Sequence, residues 1–490
     1  MSSSKKEVCI TGIGFVSCYG EGAEHHWNIL GGDKAPAPMI AEETVPPYGV
    51  HPLPEMDWAL QIPRKDQRQM ENWQRLGTYA AGLALDDAGM KEDTELVSTM
   101  DLVVAAGGGE RDIETDEAIL KDAIASNDAE QLILDRLRTD LRPTLFLAQL
   151  SNLLAGNISI VHKVTGSSRT YMGEETAGVT VIQNAVSRIA SGQSTHMLGV
   201  HGRQGKGGGM RMGSVGSFLV LEEAEHAKAR GADAYAKLSS VSSDLGKRDG
   251  EKGAARLDVM FEKLGATPDA VISGATGVSE ATKYELDYLN SKLGTDTPIR
   301  AFQTLMGQPL EATFPAGVAL AALALKNNGF YAPFEPQEKP VNGDVSSIML
   351  ISWNLKKSLH RASPTAMADA TTEEALTDAG FGKDGFPGPL FFAAPPVELE
   401  WQHRFDLIER TKEGEIGYER MLASARDHKQ EKMHSLIQLG TIAFRLAEKY
   451  ETQGLPISLS TACASGATAL QQGIEAIRRG DTDAALCVAS

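Results

Sequence analysis

The chain is short of several things. Four cysteines, Cys9, Cys18, Cys463 and Cys487, are scattered over 490 residues, and none forms a CxxC pair. That spacing excludes a disulfide framework and a structural zinc site, so reduced thiols are expected. No apolar run approaches the length of a membrane span, and Met1-Ser2-Ser3-Ser4-Lys5-Lys6-Glu7 leads into a strand rather than into the apolar core of a signal peptide. A cytoplasmic protein without a membrane span is the expectation. Positive charge is also in deficit: 47 Lys and Arg against 65 Asp and Glu leave a formal net charge of -18. A nucleic-acid binder needs a basic face to release counterions from phosphates, and that class is set aside. What is present is ordinary for a globular protein, 42% hydrophobic and 23% charged, with 49 glycines for tight turns and close backbone approaches. The length exceeds one usual core, so two or more lobes are expected.

Strand and helix signals alternate along the chain, which favours a layered α/β fold. Val8 to Ser17 reads as a buried strand ending in a glycine turn. Gly12 and Gly14 open a dinucleotide-like fingerprint, but its third glycine position is Ser17, so a Rossmann reading fails. A polar, proline-bearing loop is expected to about residue 70, then a helix over Trp73 to Ala88 stopped by Gly89, and a strand over Leu102 to Ala106 closed by Gly107-Gly108-Gly109. Phe218 to Gly231 passes from strand to helix, and His226, among acidic and basic neighbours, reads as solvated rather than catalytic. Gly205-Lys206-Gly207-Gly208-Gly209 is no P-loop, because position 200 is not glycine and Gly207 stands where Ser or Thr is needed.

The chemistry is plainest near the far end. Ile457 to Ser460 reads as a short buried strand, and Ala464 to Arg479 as a helix in which Ala469, Leu470, Gly473, Ile474 and Ile477 recur at the spacing of one face. Cys463 lies at the turn between them. Helix N-terminal N–H groups favour a thiolate there, and small neighbours leave room for a substrate carbonyl. On the residues alone two readings stand: a nucleophile, or a small inert core residue.

Ser460-Thr461-Ala462-Cys463-Ala464-Ser465-Gly466 resembles the active-site loop of the beta-ketoacyl-ACP synthases, condensing enzymes of the thiolase superfamily. The Val8 to Ser17 strand, Trp27 to Gly32 and Phe218 to Gly231 are similar to other segments of that family. The resemblance implies a thiolase-like layered α/β fold (α-β-α-β-α) and 3-oxoacyl-ACP synthase activity in fatty acid biosynthesis. In that chemistry an acyl group moves to the Cys463 thiol, malonyl-ACP is decarboxylated, and the carbanion attacks the thioester. It further implies no tightly bound cofactor and no metal, the phosphopantetheine arm of an acyl carrier protein as substrate handle, and a homodimer or a heterodimer with another ketosynthase through a continuous sheet. Acyl carrier proteins are acidic, so a local basic patch is needed. Arg203, Lys206 and Arg211, or Arg478 and Arg479, are candidates, though each also reads as a solvated loop or an ordinary helix end.

The chain also repeats itself. Gly166, Gly178 and Gly192 answer without a gap to Gly454, Gly466 and Gly480; Ala84 to Met90 answers to Ala375 to Phe381, and Leu102 to Ala106 to Leu390 to Ala394. A complete copy over residues 1–358, a linker over 359–372 and a partial copy over 373–490 are expected. In this register Cys463 falls on Glu175, which cannot carry a thioester. Where the family resemblance places its two histidines and its lysine, the first copy has Gly274-Ala275-Thr276, Gln308 and Gln303, with Glu285 and Leu289 keeping the downstream register. That pattern resembles the chain-length factors, non-catalytic partners of active ketosynthases, and supplies the alternative function. The second copy matches only about residues 81 to 201 of the first and reaches Ser490 before either histidine motif. His403, His428 and His434 fall in a polar insertion and read as surface residues, and apolar surface and sheet edges are expected to be open on this half.

Overall fold

The computed structural model describes residues 5–489 apart from 46–47, 108–112, 127, 141–149, 173–174, 200–210, 244–249, 266, 277–278, 336–337, 342, 352–368, 370–371, 374, 378, 382–384, 394–438 and 460–464. The first repeat contributes strands β1 (Val8–Ser17), β2 (Asp101–Ala105), β3 (Ser168–Met172), β4 (His196–Gly199) and β5 (Gly216–Glu223) to one large sheet. A second, three-stranded parallel sheet is built from β6 (Ala270–Ser273), β7 (Ile299–Ala301) and β8 (Ile348–Ile351), in the order β7-β6-β8. The helices that matter here are α1 (Asn72–Asp87), α2 (Asn152–His162), α3 (Glu175–Ala190), α4 (Ala224–Ala229) and α5 (Thr313–Lys326).

Side-chain alternation along the strands sorts these elements into layers. Leu102, Val104, Phe218 and Val220 point to one face of the large sheet and pack with α1 and α2, while Val103, Ala105, Leu219 and Leu221 point to the other and pack with α3 and α5. Ile272 of β6 joins this central cluster, whereas Val271 faces outward with Leu257, Tyr288 and Leu289 of two further helices, Gly250–Leu264 and Ser279–Leu293. The result is the five-layer α-β-α-β-α arrangement that the family resemblance implied. Helix α5 is the middle of it, which explains why its residues are apolar on most sides.

The Gly-x-Gly of β1 has a packing role. A Cβ at Gly12 would lie 2.4 Å from the Ala84 oxygen, and one at Gly14 only 1.8 Å from the Ala80 oxygen. The two glycines let α1 press its backbone onto the strand, with no phosphate to be bound.

The second repeat adds β9 (Leu390–Ala393), β10 (Ile457–Leu459) and β11 (Leu486–Ala489), with helices α6 (Leu439–Lys449) and α7 (Ser465–Arg479). These strands extend the large sheet to ten, in the order β11-β9-β10-β3-β2-β4-β5-β1, with the short strands Gly20–Glu21 and Ala236–Lys237 flanking β1. The repeated strands, β2, β3 and β4 in the first copy and β9, β10 and β11 in the second, pair parallel, β5 joins β4 and β1 antiparallel, and between the copies β10 meets β3 antiparallel. Leu459 is paired with Tyr171, its own counterpart in the repeat register. Asn184 Nδ2 donates to Oε1 of Gln472, likewise its counterpart, at 3.1 Å, and Tyr171 Oη donates to the same oxygen at 3.3 Å. Equivalent residues touching each other mark a local two-fold axis. Buried Arg188 and Arg169 reach across it to Glu475, at 3.6 and 3.4 Å. The strand pairing expected between two subunits is therefore made between two halves of one chain.

Two sequence expectations need correction. The loop expected before residue 70 contains an antiparallel pair, Ala41–Val45 with Tyr48–Val50, and the short helices Trp58–Leu60 and Arg64–Gln67. His226 is not simply solvated. Its Nδ1 lies 2.7 Å from Glu222 Oε1 and its ring stacks on buried His196, with centroids 5.1 Å apart. Glu222 is fully buried; burial pushes its carboxyl up, but hydrogen bonds from Arg230, Thr11 and His226 outweigh that and hold it below the usual range. This cluster ties β1, β5 and α4 together.

Two other histidines make stability depend on pH. His26 donates from Nδ1 to Gly22 O at 2.7 Å and accepts at Nε2 from Ser17 Oγ at 2.7 Å; His162 donates from Nε2 to Thr78 O at 2.8 Å. Burial pushes both imidazoles down to about 4. The unfolded chain binds these protons near the ordinary histidine value of 6.5, so the stabilisation is complete above that pH and is lost as pH falls toward 4. Urea midpoints taken between pH 7 and pH 4 should fall, each histidine contributing up to about 1.4 kcal/mol per pH unit, and H162Q should flatten the profile by one proton.

Candidate active site

Four separated stretches of the first repeat converge at the inner end of α3. Glu175 opens that helix directly after β3, where the backbone N–H groups and helix dipole favour a carboxylate. Gln308 arrives from the turn after the short helix Gln303–Met306. The turn depends on glycine: Gly307 has φ +76°, and a Cβ there would come within 2.6 Å of Gly213 N. A Cβ at Gly213 would be 1.7 Å from Met306 O, so the two segments cross glycine against glycine. Gln308 N donates to Arg211 O at 2.8 Å, and Gly213 N donates to Gln308 O at 3.2 Å.

With its backbone clamped, Gln308 turns its side chain to Glu175. Its Nε2 donates to Glu175 Oε1 at 2.7 Å, while Thr313 Oγ1 donates to its Oε1 at 3.2 Å. Gln303 Nε2 donates to Gly274 O at 2.9 Å, and its Oε1 is buried without a partner among the described residues. Gly274 is fixed in turn by its N–H on Ile351 O at 2.8 Å. Glu285 is buried and accepts from Ser273 Oγ, which itself accepts from Ala275 N at 3.1 Å. The four positions picked by the repeat register and the family resemblance thus meet as two pairs, Glu175 with Gln308 and Gln303 with Gly274.

Such a site has little chemical capacity. A carboxylate cannot hold an acyl thioester, and neither glutamine nor glycine can move a proton. Thr313 is the member that sequence reading missed. Its spacing from Gln308 was visible, but nothing in the sequence said that the start of α5 would turn back onto the amide.

Cys463 and residues 460–464 around it lie outside the described residues. Their flanks are described, and they are a strand ending at Leu459 and a helix beginning at Ser465, as the nucleophile reading requires. The other cysteines are poor nucleophiles. Burial pushes the Cys9 and Cys18 thiols up to about 11, and raises that of Cys487 as well. Arg203, Lys206, His403, His428 and His434 also lie outside the described residues. Arg211 is described and serves the site through its backbone oxygen. Arg479 is engaged with Asp481 at 2.8 Å, leaving Arg478 as the exposed cation of that pair. Among the described residues no group of His, Cys, Asp or Glu is arranged to hold a metal ion, and no helix is long and apolar enough to cross a membrane.

The family model for the beta-ketoacyl synthase N-terminal domain matches two stretches, residues 5–236 and 357–490. The chain belongs to the beta-ketoacyl synthase family. Among its relatives in the family is 3-oxoacyl-[acyl-carrier-protein] synthase 2 of Vibrio cholerae, 24% identical over 310 residues, which cover 55% of this chain and 72% of that protein. The protein of the same name from Rhizobium meliloti is 26% identical over 388 residues, covering 66% of this chain and 87% of the relative. A solved structure of the PfaC keto synthase-chain length factor superposes with a TM-score of 0.71 over 97% of this chain and 72% of its own; at 11% identity this likeness speaks to the fold alone.

The ketosynthase-like pocket of the first repeat should be inert even when its nucleophile is put back. An E175C chain incubated with acyl-ACP should gain no acyl mass at position 175, because Gly274 and Gln308 stand where imidazoles would be needed and no imidazole among the described residues contacts Glu175. E175A should cost about 1–2 kcal/mol of stability in urea unfolding, since it deprives a buried amide of its acceptor.

Proposed function

We propose that this chain serves 3-oxoacyl-ACP synthase-type condensation in fatty acid biosynthesis, as a tandem with divided labour. The first repeat, residues 1–358, is a non-catalytic, chain-length-factor-like scaffold, and the second, residues 373–490, brings the nucleophile Cys463 after a linker at 359–372. The observation that carries this reading is the Glu175–Gln308 hydrogen bond of 2.7 Å, a contact between a carboxylate and an amide at the two positions where a thiol and an imidazole are needed. Family membership supports condensing chemistry in general; the names of the Vibrio and Rhizobium relatives support an acyl carrier protein as the partner that presents the substrate.

In the proposed reaction the Cys463 thiolate attacks the thioester carbonyl of acyl-ACP, a C–S bond forms to the enzyme, the C–S bond to the carrier's phosphopantetheine breaks, and that sulfur leaves as a thiolate. Malonyl-ACP then loses carbon dioxide, and its carbanion attacks the enzyme thioester, forming the new carbon–carbon bond and releasing the Cys463 thiolate. The first step needs a thiol at a helix start and N–H donors for the oxyanion, both of which a strand-to-helix turn supplies. Decarboxylation calls for two imidazoles at positions that, in the repeat register, lie beyond Ser490. No tightly bound cofactor enters the scheme.

A second reading is that the whole chain is a partner that shapes an active ketosynthase without reacting, and the replaced tetrad favours it for the first repeat. Intact-mass analysis after exposure to acyl-ACP separates the two. The enzyme reading expects one acyl adduct that C463A abolishes; an unmodified chain under conditions that acylate a control ketosynthase leaves only the partner reading.

A further inference from the structure

The local two-fold axis between the repeats relates backbone to backbone but not charge to charge. Every contact across it has a mate, found by exchanging each residue for its counterpart in the repeat register. Arg188 meets Glu475 at 3.6 Å and Arg169 meets it at 3.4 Å. Their mates are Ala476 with Ser187 and Ile457 with Ser187, which carry no charge. The neutral contacts are as lopsided. Gln472 Oε1 accepts from Asn184 Nδ2 and from Tyr171 Oη, whereas Leu459 in the place of Tyr171 leaves Asn184 Oδ1 without a partner among the described residues.

The two arginines differ in how much they depend on the other repeat. Arg169 and Arg188 are 6% and 7% exposed, so each needs an acid inside the protein. Arg188 has one on its own repeat, Asp101 at 2.8 Å. Arg169 has Glu475 as its one ion-pair partner among the described residues, and its Nη1 is buried without an acceptor there. Glu475 is better provided for, because Arg188 and, at 3.7 Å, Arg479 of its own helix also stand beside it. Arg479 in turn has Asp481 at 2.8 Å. The dependence therefore runs one way, from Arg169 to Glu475.

We infer that Arg169 makes this face of the first repeat selective for an unlike half: it accepts a half that carries a carboxylate at the position of Glu475 and refuses a second first repeat, which brings Ser187 there. Two first repeats joined β3 to β3 would bury two Arg169 guanidiniums with no acid between them. Removing the partner of a buried charge costs far more than the pair contributes, so such a junction is rejected. Backbone shape does not make the distinction, since equivalent strand positions already meet at the axis. This selectivity goes beyond the catalytic reading and holds whether Cys463 reacts or not.

The test uses the full chain, with hydrogen–deuterium exchange read by mass spectrometry. E475S gives the second repeat the residue of the first, and exchange over β10 and α7 should quicken at least about tenfold, as expected for a buried cation left without its acid. Exchange over α1 should not change. R169I gives the first repeat the residue of the second and should do much less, because Glu475 keeps Arg188 and Arg479. Combining E475S with R169I should recover most of the protection that E475S loses, since both charges then leave together. A packing role alone expects the opposite order, with the longer arginine the costlier loss and the double variant worse than either single one. In sedimentation E475S should form no concentration-dependent dimer. Wild-type protection in E475S, or a double variant no better than E475S, overturns the inference. So does an E475S dimer that protects 168–172, because two first repeats would then have paired with both arginines buried.

Discussion

The antiparallel meeting of β3 and β10 is the contact on which the rest of the second repeat depends. The described strands of that repeat number three, and three parallel strands alone are a poor candidate for independent folding. By joining β10 to β3 the chain hides one sheet edge and merges Phe391, Ala393, Leu459, Ala469 and Ala476 into the first repeat's own core. Tyr171, Asn184 and Gln472 then set the register at the two-fold axis, and buried Arg188, held by Asp101 at 2.8 Å, faces Glu475 from the other side. Polar groups at the axis make any slip of the sheet leave buried donors without acceptors, which is expensive.

The first repeat separates the packing demands of a ketosynthase fold from its chemical demands. The backbone around the site is built by close approaches: the glycine crossing at 213 and 307, the start of α3, and the contact of α5 at Gly178. The side chains within it satisfy one another, so that Glu175 finds a donor in Gln308 and Gln303 finds an acceptor in Gly274. A carboxylate left beside an imidazole, or a lysine left beside a carboxylate, would have made a different and more reactive site.

Much of this was legible in the sequence, for a physical reason. Glu175 could be found by the repeat register, and Gly274, Gln303 and Gln308 by the family resemblance, because turns and helix starts hold such positions at short, fixed spacings, and they come together in two pairs. The repeat was legible because its glycines stand where the backbone calls for them: Gly192 and Gly480 both have φ +74°, and Gly166 and Gly178 of the first copy lie against the backbone of Met100 and Glu311. Other features depend on which strands become neighbours, and linear spacing is silent about that. The Glu222, His226 and His196 cluster brings side chains from β4, β5 and α4 around one carboxylate, and helix periodicity alone made His226 look solvated. Periodicity also put Ala469 and Gly473 of α7, which are buried, on one face with Leu470, Ile474 and Ile477, which are exposed, because it reports where apolar residues lie on a helix but not what stands opposite them.

Carrying both repeats on one polypeptide fixes their proportions. Two separate subunits that meet through a sheet must find each other, and a cell that makes unequal amounts of them is left with orphaned edges. Here the ratio of first repeat to second is one to one at every level of expression, and dilution cannot pull the junction apart, since its closure is an intramolecular event. The Tyr171–Leu459 pairing thereby turns a question of subunit supply into a property of a single translation product.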